Sequence, residues 1–142
     1  MKIKTPIPYL VLSMLLVFGC GGTKNLPEGE LLYTGAKVKV EGVAVSKSDR
    51  KTIKAAAAEL VRPKPNSSFL GIRPKLFFYN LAGTPKKEKG FRYWLKNKVG
   101  EPPVLYSKVD LEYTTKVLEN YAENNGYFNT KATADSTRHG KK

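Results

Sequence analysis

The chain has 142 residues, room for one domain once a targeting segment is set aside. Lys and Arg number 25 against 12 Asp and Glu, a formal net charge of +13 that permits nucleic acid, anionic headgroups or acidic proteins as partners and names none. The single cysteine excludes an internal disulfide, and the one histidine, His139, sits among Gly, Lys, Arg, Thr and Ser, so no Cys/His zinc site can be assembled.

The first element is a leader. Lys2 and Lys4 form a short positive region, an apolar run follows over Tyr9–Phe18, and Gly19-Cys20-Gly21-Gly22 comes next. A run of 10 residues is too short to cross a bilayer as a helix, which takes roughly 20 residues. Its length suits the apolar core of a signal peptide over residues 1–19. Val17-Phe18-Gly19-Cys20 resembles the lipobox of bacterial prolipoproteins, with an aliphatic residue three before Cys and a small one just before it. Phe18 is bulkier than usual at its place. The chemistry requires a thiol at Cys20, whose sulfur takes a diacylglycerol group as a thioether. Cleavage between Gly19 and Cys20 then frees an amino group for a further acyl chain. One chain gives marginal membrane binding, at about 0.8 kcal/mol per buried CH₂, whereas two or three anchor stably. The alternative is a plain secretory signal with an incidental cysteine. Loss of Lys2 and Lys4 with the leader takes two from the charge and leaves +11 on the rest. The 41% hydrophobic fraction therefore overstates the core, and a domain this small is only marginally stable.

After the lipidation residue, 20–30 is polar and turn-prone and reads as a tether. Residues 33–41 alternate, with Ala36, Val38 and Val40 on one side and Lys37, Lys39 and Glu41 on the other, the pattern of a half-buried strand ended by Gly42. Ser46 and Asp49 have capping-box-like spacing and open a helix that should run to about Val61. Its apolar face is Ile53, Ala56, Ala57 and Leu60, kept thin by alanines so that it can lie close on a sheet, and Pro63 stops it. Residues 62–106 are punctuated by Pro. Within them, 76–81 reads as a short buried helix or strand, Lys86, Lys87 and Lys89 as a solvated basic loop, with contact to anionic lipid headgroups near the anchor as the less favoured reading, and 91–95 as a helical turn or two. Phe91, Tyr93 and Trp94 are dense enough to read as core rather than as a recognition surface. Ser107 and Asp110 have capping-box spacing before the clearest helix, whose inward stripe is Leu111, Thr114, Leu118, Tyr121 and Ala122. Gly126 suits the left-handed position that closes it. Residues 127–134 alternate again, with Phe128, Thr130, Ala132 and Ala134 on one face. The tail, 136–142, is polar.

The order strand, helix, inserted Pro- and aromatic-rich segment, helix, strand predicts an α+β layer spanning 31–135, with helices on one face of a small sheet. Two strands are marginal alone, so a third is expected beyond residue 142 and the chain reads as a piece of something longer. No Ser/His/Asp order, paired carboxylates or phosphate-binding Gly loop stands out, so no enzyme and no cofactor is expected. Glu101 beside two prolines reads as a helix terminator. Charge and aromatics would suit nucleic acid, but no binding motif is present and an exported chain has little access to it.

The helix ending in Leu118-x-x-Tyr121-x-x-Asn124-Asn125-Gly126-Tyr127-Phe128 resembles the POTRA domain of the BamA/TamA superfamily of outer-membrane assembly factors. LPEGELLYTGAKVKV, RPKPNSSFLGIRPKL, YNLAG, WLKNKVGEPPVL and NNGYF are together similar to the lipid-anchored TamL-like branch, over about Leu26 to Ala134. The resemblance implies a POTRA-like strand–helix–helix–strand layer, here with its final strand missing, in a protein of the outer membrane of a Gram-negative envelope. It implies unfolded outer-membrane proteins or a periplasm-spanning protein as partners, besides the membrane reached through acyl chains on Cys20. Binding would proceed by β-strand addition to an exposed sheet edge, with Lys37, Val38, Lys39, Val40, Tyr127 and Phe128 as the candidate edge. In that family a C-terminal membrane barrel follows, and the resemblance implies that this chain is the N-terminal part of such an assembly or translocation factor. A free-standing outer-membrane lipoprotein acting as a structural or accessory protein-binding module is the rival reading.

Overall fold

A computed structural model describes residues 22–42 and 45–142. Four α-helices occur among the described residues, in chain order: α1 (Lys47–Leu60), α2 (Pro74–Ala82), α3 (Phe91–Trp94) and α4 (Leu111–Asn124). A five-residue π turn, Leu95–Val99, continues α3, and a 3₁₀ turn, Tyr106–Lys108, precedes α4. The chain folds as two compact units. One joins 22–32 to Asn66–Pro103, and the other joins Tyr33–Pro65 to Val104–Lys142.

In the first unit, α2 begins with Pro74 at its first position, where the missing N–H costs nothing. It packs on the π turn. Leu32, Leu76, Ala82 and Leu95 are buried, and fully burying a leucine side chain contributes roughly 1.5–3 kcal/mol. The chain leaving the π turn comes so close to α2 that a Cβ on Gly100 would lie 2.7 Å from the Lys96 carbonyl oxygen and 2.8 Å from Tyr79 Cα. Only glycine fits there. Beyond it the Glu101 N–H donates to the Lys75 carbonyl (3.1 Å), the buried Asn66 amide donates to the Pro102 carbonyl (2.7 Å), and the Glu101 carboxylate accepts from the Ser67 hydroxyl (3.2 Å). Glu101 thus ties the 66–67 segment to the end of the π turn as well as following a helical element.

In the second unit, α1 packs on α4. Ser46 caps α1 through its hydroxyl, which accepts from the Asp49 N–H at 3.1 Å, and Ile53, Ala56, Ala57 and Leu60 form the less exposed face as the spacing predicts. The thin alanine face lies against a helix instead of a sheet. The cap of α4 is Asp110, whose carboxylate accepts from the Tyr113 N–H at 2.8 Å; Ser107, the residue the spacing favours, belongs to the 3₁₀ turn. At its other end Gly126 takes φ +88°, with Tyr127 N–H donating to Ala122 (3.0 Å) and Gly126 N–H to Glu123 (2.9 Å), a Schellman closure.

The α+β expectation is overturned. No β-sheet exists among the described residues, so the POTRA-like layer of strands and helices is not the fold of this chain. The alternation over 33–41 is real, but Tyr33 N–H pairs with the Val104 carbonyl (2.8 Å) and 34–41 then makes no backbone–backbone hydrogen bond among the described residues. The expected strand over 127–134 is replaced by a turn, closed by Thr130 N–H and hydroxyl on the Tyr127 carbonyl, and by Ala132 N–H donating to Glu119 at 2.9 Å. The physical reason is that period-2 patterning fixes which face of a strand can be buried, while a strand forms only against a neighbour. Local turn and cap bonds satisfy the second segment without one.

Candidate functional site

Gly19 and Cys20, the expected cleavage and lipidation residues, lie outside the described residues. The described chain begins close behind them. A Cβ on Gly22 would lie 3.6 Å from Leu76 Cδ2 and 3.9 Å from Leu32 Cδ2, and the Asn25 amide reaches the Asn80 carbonyl at 3.5 Å. The stretch read as a tether therefore packs on the first unit from its second residue past Cys20.

The six candidate edge residues do not form an edge. Lys37 and Lys39 are exposed and Val38 and Val40 half-buried, so the alternation survives as a difference in exposure without a ladder. Lys39 pairs with Glu41 at 2.5 Å, two residues on and on the same face. Its hydrogen bond and charge hold the Glu41 carboxyl below the usual carboxylate range and raise the Lys39 ammonium. Both side chains are in water, where such a pair contributes little. Tyr127 is half-buried and Phe128 exposed in the turn after α4.

Phe91, Tyr93 and Trp94, expected in the core, lie on the surface instead. Phe91 and Trp94 are 72% and 51% exposed, and Tyr93 is also exposed. Spacing explains the pairing: three residues apart on one helical turn, the rings of Phe91 and Trp94 stack at 5.9 Å with 29° between planes. Leu95, one residue on, takes the buried place. Between Lys86 and Lys98 six basic residues stand against one acid, Glu88, and no ion pair among the described residues involves them. An open recess of about 390 Å³ is lined by Pro85, Lys86, Lys87, Glu88, Tyr93, Lys96 and Asn97. Asn97 is held by donating to the Tyr93 carbonyl (2.9 Å), and Lys96 sits over the Tyr79 ring at 4.8 Å. The signal for exposure lay in the lysines: a helical turn whose apolar residues alternate with Arg92, Lys96 and Lys98 has only Leu95 and Val99 left to face inward.

A second exposed apolar feature belongs to the same unit. Phe69 and Ile72 form an isolated antiparallel bridge, with N–H···O distances of 2.8 and 2.9 Å. Leu70 and Gly71 close the turn with φ +49° and +77°, the backbone of a type I′ turn. Leu70 is 85% exposed.

Among the described residues no group of His, Cys, Asp and Glu could hold a metal ion, and no helix is long and apolar enough to cross a membrane. No family model matches the chain, and neither a curated protein nor a solved structure does.

Proposed function

We propose that this chain is a lipid-anchored protein of the outer membrane that binds a protein partner of outer-membrane assembly, in keeping with its resemblance to the TamL-like branch. The observation that carries the reading is the chain's only cysteine, standing directly behind a charged, apolar leader and a small residue. The stretch 34–41 supports a binding role. Its backbone groups are not used in a ladder and exposure alternates from Lys37 to Glu41, so it is suited to add as a strand to a partner's sheet edge, the chain giving the strand instead of receiving one. Two small helical units with buried residues of their own favour the second reading, an accessory protein-binding module.

The test is a photo-crosslinking amino acid placed at Val38 in cells, combined with membrane fractionation. The proposal expects the chain in the outer-membrane fraction, adducts with outer-membrane proteins or their assembly factors, and loss of both in Cys20→Ala. A chain that fractionates as soluble with Cys20 intact contradicts the anchor. Adducts confined to proteins unrelated to outer-membrane assembly favour the accessory module.

A further inference from the structure

We infer that the surface built by Lys86–Lys98 in the first unit is a membrane-contacting face, in which Phe91 and Trp94 enter the interfacial zone of a bilayer and the surrounding lysines and Arg92 meet anionic lipid headgroups. The inference rests on the lipid-anchor reading in one respect, that the anchor brings this unit to the bilayer.

Three observations converge on it. The first is proximity. Gly22 lies beside Leu76 and Leu32, so only Gly21 stands between Cys20 and the body of the unit, and the two-residue step from Cys20 to Gly22 reaches at most about 7 Å at full extension. An acylated Cys20 would hold this unit against the headgroups instead of letting it swing on a tether. The second is the distribution of exposed apolar side chains. Of the eight large ones among the described residues, six (Phe69, Leu70, Leu81, Phe91, Tyr93 and Trp94) belong to this unit, and only Tyr113 and Phe128 belong to the other. A unit of this size that faced water on all sides would have little reason to leave a stacked Phe–Trp pair outside. The third is charge. Aromatic rings with a polar tip favour the water–hydrocarbon boundary, and a cluster of lysines beside them supplies the attraction to anionic lipid that fixes the face toward the membrane. Six basic residues against one acid in 13 residues meet that requirement, and none is engaged by a carboxylate among the described residues. The recess between Lys86, Lys87, Tyr93 and Lys96 is open to solvent and of a size to receive one headgroup.

Trp94 is the only tryptophan of the chain, so its fluorescence reports this surface alone. The full chain, purified from membranes, is reconstituted into phosphatidylcholine vesicles with and without phosphatidylglycerol. The expected result is a blue-shifted Trp94 emission in the phosphatidylglycerol vesicles, quenched by brominated acyl chains, reversed by high salt and absent from pure phosphatidylcholine. Lys86→Glu, Lys87→Glu and Lys89→Glu together, all at exposed positions, should keep the helical circular dichroism and lower partition of the Cys20→Ser chain to those vesicles by about tenfold or more. Emission that stays red and open to acrylamide in both lipids, with the chain acylated, overturns the inference while leaving the anchor intact. Phosphatidylglycerol-dependent burial of Trp94 in a chain that mass spectrometry finds unacylated supports the surface and removes the anchor. Inorganic phosphate that reproduces the spectral change in pure phosphatidylcholine vesicles overturns the membrane face in favour of a small-anion recess.

Discussion

At the residue scale, three positions carry more of the structure than their type suggests. Gly100 is fixed by space alone: Gly100→Ala drives a methyl group into the Lys96 carbonyl and the α2 backbone, and neither is the end of a flexible side chain. Such overpacking costs typically 1–3 kcal/mol, so a fall in the thermal midpoint is expected, read by circular dichroism. Leu70 is held at φ +49° with its side chain in water, a conformation a leucine adopts at a cost of roughly 1–2 kcal/mol. Leu70→Asn should therefore raise the midpoint, unless the side chain is held by something outside the chain. Tyr33 is buried, and loss of solvation pushes its phenol above the ordinary value of 10.0. A folded-state pKa above the unfolded one means that the contribution is complete below pH 10 and is lost as pH rises through the folded value. Alkaline titration should show stability declining above pH 10, and Tyr33→Phe should flatten that limb; an unchanged limb would assign the decline to other groups.

At the element scale, the helices were legible in the sequence because their causes are local. The Ser46 cap, the face of α1 and the Gly126 closure are set by residues within a turn of one another, and the structure repeats them. The one local misreading concerns the start of α4, where two acceptors three residues apart compete and Asp110 wins. Asp110→Ala should cost about 1 kcal/mol, as should Ser46→Ala, while Ser107→Ala should leave the midpoint within experimental error. Equal losses at Ser107 and Asp110 would restore the earlier start. The strands were illegible for the opposite reason. Alternation at Ala36, Val38 and Val40 states what a strand would bury, but nothing within nine residues states whether a neighbour exists, and 127–134 spends its donors on a turn and on Glu119. The exposure of the Phe91–Trp94 pair is not legible in aromatic density alone; it shows in Arg92 between the two rings and in the lysines on either side.

At the scale of the whole molecule, the described residues form two helical units whose largest fully buried side chains, Leu32 and Leu76, belong to the first. Leu76→Ala should destabilise that unit by about 2–5 kcal/mol. Hydrogen exchange on the intact chain should find protection in α2, α1 and α4 and rapid exchange over 34–41 and 133–138, where no backbone ladder exists. Slow exchange over 34–41 and 127–134 together would mean that these segments pair after all. The proposed function depends on one covalent event that the fold itself does not determine, the acylation of Cys20. The direct measurement is the mass of the amino-terminal peptide from chain isolated from membranes and digested with protease. A lipid anchor gives a peptide that begins at Cys20 and carries a thioether-linked diacylglyceryl group with a further acyl chain on its amino group. A peptide with a free Cys20 thiol, or one that begins elsewhere, would contradict it.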